Sequence, residues 1–351
     1  MYKILCAILL IFIYVVPSKA QRICADTFYL KAYQEIRAML DNQKPLSVKK
    51  AVYWSEWAYL GGNLDYEKDF NKEIVRIANY IKEVIALNHF ENYKTAKQFS
   101  ICNYFFRPCN GNGKIPYTYD NKKDYPEDDW HYQLTSRTLK THTGQCRSLP
   151  WTFKLIAEEL GADVRIAYAP RHCYVMYTDE DDHYPEDWVN VELTNQSYTP
   201  SFSIKEFYCI NDSAILASTY MTPLNDRQTI AHQLSDLAMG YLARYNKHYD
   251  EFTIACAQTS LKYHEANPTA ILILGHSLES LLRNHLSKNG GYRDKFTDDI
   301  DAQLLKCHKM LTATYWTEET DELHAKWTNY GKPAPNKQFI TREMYNKMNN
   351  K

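Results

Sequence analysis

Residues 141–193 constrain the fold of this chain more tightly than any other stretch. THTGQCRSLPWTFKLIAEELG, residues 141–161, reads as a helix with its start and stop written in. Pro150 suits a first helical turn, and Gly161 suits the position just past the last. Leu149, Phe153, Ile156 and Leu160 recur at three- and four-residue spacing and share one face. Alternating segments follow. ADVRIAYA sets Val164, Ile166 and Tyr168 on one side, and RHCYVMYT sets His172, Tyr174 and Met176 against Cys173, Val175 and Tyr177. After the acidic turn TDEDDHYPED, WVNVELT places Trp188, Asn190 and Glu192 on one face. The spacing predicts an antiparallel hairpin with a long connection, in which the face of Glu192 can also be that of His172.

The flanking regions read differently. Residues 25–100 are expected to be helical: TFYLKAYQEIRAMLD has helical periodicity, and Ile74, Ile77, Ile81 and Ile85 line one face of a second such segment. Leu60-Gly61-Gly62-Asn63 breaks the pattern between them. Residues 103–130 read as a long irregular loop leading into the cysteine segment, and so as a wall of a cleft. From 226 onward the pattern is again helical, in the manner of stacked antiparallel helices. From Lys332 the chain turns rich in Asn, Lys and Pro and reads as a loose tail. The expected organisation is a leader at 1–20, a domain at 21–222, a helical domain at 223–331 and the tail at 332–351.

The leader is an export signal by pattern. Lys3 precedes an apolar run from Ile4 to Val16, and Ser18-Lys19-Ala20 offers small residues for cleavage after Ala20. That run is short of the roughly 20 residues a membrane span needs, and no later segment is apolar enough. The expected location is therefore periplasmic or secreted. A formal net charge of −1 gives no bulk attraction to nucleic acid or an anionic membrane. Of nine cysteines, Cys6 leaves with the leader. In an exported chain the others can form disulfides, and Cys102 and Cys109, bracketing a short loop, are the expected pair. Neither C-x-x-C nor H-E-x-x-H occurs, so neither a structural zinc site nor a zincin-type metal site is expected, and no cofactor is implied.

The chemistry-bearing residues are Cys146, His172 and Glu192. A thiol ahead of a helix start meets the positive end of the helix dipole and the amides of the first turn. An imidazole on a facing strand could take the thiol proton, and a carboxylate one strand over could fix the imidazole tautomer. Gly144 permits a tight nucleophile turn. The bland alternatives are a buried small cysteine and a structural histidine. Cys173 reads as a core residue. His142 is too close in the turn to face the thiol, and Asp187 lies on the wrong flank to replace Glu192. Trp130 and Gln133 are candidate oxyanion or substrate contacts.

GQCRSLPWTFKLIAEELG resembles the nucleophile segment of the transglutaminase-like superfamily. RHCYVMY resembles its histidine strand, and WVNVELT its W-V-x-V-D-P-T strand, with Glu192 at the aspartate position and Leu193 in place of proline. AVYWSEWAYLGGNLDYEKDF and QLTSRTLKTHTGQCRSLP are similar to leading segments of the bacterial branch with a helical lead-in and tetratricopeptide-like helices behind the core. The resemblance covers roughly residues 50–200. It implies an α+β fold with a papain-like core, a helix packed on an antiparallel sheet, followed by a tetratricopeptide-like domain. It maps a triad onto Cys146, His172 and Glu192.

The leading functional expectation is an exported cysteine hydrolase or acyltransferase acting on peptide amides, including those of cell-wall peptides, with the C-terminal helices positioning a protein partner. The alternative is a non-catalytic peptide- or protein-binding scaffold, in which Cys146 is buried or paired with Cys173 or Cys209. A third, metal-dependent reading would use His131, His142 and His172.

Overall fold

The computed structural model describes residues 26–121 and 129–317, so the expected export signal, Cys24 and the tail from 332 lie outside the described residues. Four helices lead in: α1 (Thr27–Leu40), α2 (Val48–Tyr59), α3 (Lys72–Leu87) and α4 (Ala96–Phe106). Ser47 caps α2 by accepting the Lys50 N–H. Glu158 reinforces that start from another helix, accepting the Lys49 N–H and the Ser47 hydroxyl. The break after α2 needs glycine: Gly62 has φ of 82°, and a Cβ there would lie 2.6 Å from the Phe28 ring. In α3, Ile74, Ile77 and Ile81 are buried and Ile85 packs against the same core.

Irregular chain begins at Arg107 rather than at 103, because Asn103–Phe106 complete α4 and bury Tyr104 and Phe105. A two-residue strand, β1 (Thr118–Tyr119), pairs in parallel with β2 (Thr143–Gly144). Between them lies the short helix α5 (Thr135–Thr141). The central helix is α6 (Ser148–Leu160), closed by Gly161 in the left-handed region. It buries more than the one face expected of it. Trp151, Thr152 and Leu155 are as buried as Leu149, Phe153 and Ile156, because α2, α3, α4 and α5 cover α6 on the sides the sheet does not.

The sheet has four antiparallel strands in the order β3 (Arg165–Ala169), β4 (His172–Thr178), β5 (Trp188–Glu192) and β6 (Ser197–Tyr198). One face sends Cys173, Val175, Tyr177, Val189 and Val191 into the main core with α6. The other sends Tyr174 and Met176 into a smaller core with residues of α7 (Ser201–Phe207) and α8 (Asp212–Leu216) and with Tyr208.

The chain then returns to the sheet edge, where the Leu224 N–H donates to the Ile166 carbonyl at 2.9 Å. From there run α9 (Asp226–Arg244), α10 (Glu251–Tyr263), α11 (Pro268–Lys288) and α12 (Lys295–Ala313). Asn225, Asp250, Asn267 and Asp294 cap them in turn. α10, α11 and α12 each pack on the helix before them, and α9 packs along α1 and α2. The main core therefore runs without a break from Tyr29 in α1 to Cys307 in α12. The protein is mixed α+β, mostly helical with a small sheet. No described helix is long and apolar enough to cross a membrane.

The expected Cys102–Cys109 bridge is not formed, and the cysteines among the described residues are free thiols. Cys102 is buried on α4, where its side chain hydrogen-bonds Tyr198, and burial pushes its thiol up to about 12. Cys109 meets Tyr80 instead. The helix thus commits Cys102 to a tyrosine-lined part of the core that Cys109, beyond the helix end, does not share.

Candidate active site

β4 opens on His172 and β5 closes on Glu192. Val175 pairs with Val191 and Met176 with Asn190, and continuing that register sets Glu192 across from Tyr174. With side chains alternating along each strand, His172, Tyr174 and Glu192 share a face. His172 Nε2 lies 2.9 Å from Glu192 Oε1 and 2.8 Å from Oε2. Both side chains are almost wholly buried, at 0% and 5% exposure. The Thr194 hydroxyl donates to Glu192 Oε2 at 3.3 Å. The Tyr208 ring covers the imidazole, with centroids 5.1 Å apart and planes within 16°.

Cys146 stands two residues ahead of α6, half-buried and free. Its thiol is among the groups that raise the His172 imidazole. Its sulfur also makes a long contact, 3.9 Å, to the Arg171 carbonyl. With Glu192 on Nε2, Nδ1 is the nitrogen that would serve a thiol. Burial alone would lower the imidazole pKa. The Glu192 charge and hydrogen bond, with the neighbouring Cys146, outweigh it and raise the ring to about 9. The imidazole is therefore cationic at neutral pH.

The turn that carries the thiol is tightly built. A Cβ on Gly144 would lie 2.6 Å from Ser148 Oγ and 2.7 Å from Thr138 Oγ1, so glycine is required for this approach. The Gln145 N–H donates to Ser148 Oγ at 2.9 Å, and Gln145 Nε2 donates to the Asp120 carbonyl at 3.0 Å. The turn is pinned to α6 on one side and to the chain after β1 on the other.

Trp130 and Gln133 lie on a single 3-10 turn, and both touch Arg147, the residue after Cys146. Arg147 Nη1 donates to the Gln133 carbonyl at 2.7 Å, and the guanidinium sits 5.4 Å from the Trp130 ring centre. The Trp130 ring also packs against Gly240 of α9. The structure thus gives these two candidates a grip on Arg147.

The remaining residues singled out in the sequence are engaged elsewhere. His142, at φ 54°, stacks on Tyr117 and meets the Ile115 carbonyl at 2.8 Å. Asp187 is exposed, and its carbonyl accepts the Asp179 N–H. Cys173 is buried in the core beneath α6. His131 pairs with Asp129 at 2.8 Å. Among the described residues no three His, Cys, Asp or Glu side chains are grouped to hold a metal ion.

The sequence reasoning missed Tyr208, Tyr119 and Arg147. Both tyrosine hydroxyls are pushed upward, first by burial and further by neighbours that include Cys146. Tyr208 follows a short helix with no catalytic spacing to mark it, whereas Arg147 was adjacent to the cysteine and could have been noticed. Comparison of the chain with protein-family models, characterised proteins and solved structures finds no match.

Proposed function

We propose that this protein is a transglutaminase-like cysteine hydrolase or acyltransferase that cleaves peptide amides through Cys146, His172 and Glu192. The observation that carries this reading is a thiol just ahead of a helix, against the residue before a buried imidazole whose Nε2 is held by a buried carboxylate. An imidazolium beside a thiol favours the thiolate. The thiolate attacks the amide carbon, and the oxyanion that forms meets the positive end of α6. His172 Nδ1–H gives its proton to the leaving amine as the C–N bond breaks, which leaves a thioester on Cys146. Water or a second amine, deprotonated by His172, then attacks the thioester and releases the acid or a new amide. Glu192 keeps the ring oriented and stabilises its charge throughout.

The packing of α6 on an antiparallel sheet accords with a papain-like core. The sequential packing of α9–α12 accords with a tetratricopeptide-like array that positions a partner or a peptide substrate, cell-wall peptides included. Export through the leader remains part of this reading. A scaffold could hold Cys146 buried or bridged, whereas here it is half-buried and unbridged.

The test is iodoacetamide alkylation of Cys146 at pH 6 and pH 8 and, on separate unalkylated protein, incubation with peptide amides and hydroxylamine. Rapid alkylation at pH 6 that disappears in His172→Ala, with formation of acyl hydroxamates, is the expected result. Slow alkylation indifferent to His172, with no hydroxamate from any peptide, would contradict the reading.

A further inference from the structure

The nucleophile turn is fastened from an unexpected direction. Arg147, whose backbone leads from Cys146 into α6, sends its side chain to α9, far along the chain. Its Nη2 donates to Asp236 Oδ2 at 2.8 Å while Nη1 holds the Gln133 carbonyl at 2.7 Å. The guanidinium lies 5.4 Å from the Trp130 ring centre and 5.7 Å from that of Trp151. The side chains of Arg147 and Asp236 are only 12% and 16% exposed. Gln233, one turn earlier on α9, donates to the same Asp236 oxygen at 2.8 Å. A second carboxylate, the buried Glu56, also faces the cation. Glu56 is separately occupied, accepting the Thr135 and Ser136 amides at the start of α5.

A planar guanidinium with two donors committed and aromatic rings close by has little freedom, and a buried ion pair of this kind fixes geometry more than it adds stability. We infer that Asp236 is a positioning residue of the thiol site. It acts through Arg147 to set where Cys146 presents its sulfur to His172, so that the helices after residue 225 complete the site and any displacement of α9 resets it. This inference rests on the reading of Cys146 given above. It adds that the C-terminal helical array regulates that site. A partner bound along α9–α12 would then change thiol reactivity without touching the thiol.

The test compares second-order iodoacetamide rates at Cys146 across pH 5–9 in the full chain. The proteins are wild type, His172→Ala, Asp236→Asn and the double variant Arg147→Met/Asp236→Leu. The double variant removes both charges together, so neither is left buried alone, and it is expected to remain folded by circular dichroism. Misplacing a reacting group by about 1 Å costs up to about 100-fold. The expected result is therefore a fall of about 10-fold or more near neutral pH in both Asp236 variants, with pH profiles that approach that of His172→Ala. A merely structural role would lower melting temperature and leave the profile of the folded protein unchanged. A folded double variant with the wild-type profile would overturn the inference alone. A wild type that already labels slowly, with no dependence on His172, would overturn the reading of the site and this inference with it.

Discussion

His172 and His232 are both buried, at 2% and 6% exposure, yet the fold makes one cationic and leaves the other neutral. His172 meets a carboxylate and a thiol and is raised to about 9. His232, on α9, stacks on Tyr168 with centroids 4.5 Å apart, and its Nε2 lies 2.9 Å from Nδ1 of His264. Burial lowers His232 well below its usual value, and His264 adds to the effect. His264 itself falls to about 4, chiefly through burial. Burial pushes every one of these rings toward neutrality, and the partner decides whether that push prevails. Two neutral rings can share one hydrogen bond, with one nitrogen donating and the other accepting. A ring beside Glu192 keeps its proton, and Cys146 adds to that effect.

The two sites therefore pull stability in opposite directions along the pH scale. The folded pKa of His172 is raised, so its contribution is complete below its ordinary value of 6.5 and is lost as pH rises through about 9. The pKa values of His232 and His264 are depressed, so between 6.5 and about 4 the unfolded chain takes up protons that the folded chain refuses. Stability falls across that window as pH falls.

The largest effect belongs to His172→Ala. In the proposed reaction it removes the proton carrier and should lower amide turnover by about 10²- to 10⁴-fold, measured as hydroxamate formed from peptide amides. Glu192→Gln is next. Without the carboxylate the buried ring should behave like His232 and become neutral at pH 7, with Cys146 alkylation at pH 6 falling by at least about 10-fold. Retention of the wild-type alkylation profile in Glu192→Gln would break the comparison.

His232→Phe keeps the ring stack on Tyr168 and removes one titrating group. It should flatten the loss of stability between pH 6.5 and 4 in urea titrations. An unchanged acid limb would mean that this pair does not stay neutral in the fold. The smallest effect is expected of Thr194→Val. It deletes one donor to Glu192 and should cost about 1 kcal/mol of stability, with alkylation rates changed by less than about threefold.

Much of the site was legible because it is local. The spacing around Leu149 and Gly161 marked α6, the alternation in RHCYVMYT and WVNVELT gave β4 and β5, and period two brought His172 and Glu192 to one face. The fold's long-range closures were not legible. Nothing near Arg147 says that its partner is Asp236, or that Trp130 and Gln133 hold that arginine. The pairing of His232 with His264 depends on how α9 meets the end of α10, which no local period encodes. TSRTLKT was too short and polar to read as α5, whose start is capped by Glu56 from another helix. The Cys102–Cys109 pairing failed for the same reason: loop length suggested it, but the helical face of Cys102 belongs to Tyr198.

The most direct measurement is a ¹⁵N NMR titration of the imidazole nitrogens in the full chain, with His172 assigned through His172→Ala. A partner-controlled charge predicts that the His172 ring carries both protons at pH 7.5 and loses one near pH 9, while His232 and His264 stay neutral down to pH 5. A His172 ring already neutral at pH 7.5 would contradict the charged thiol–imidazole pair on which the proposed chemistry depends.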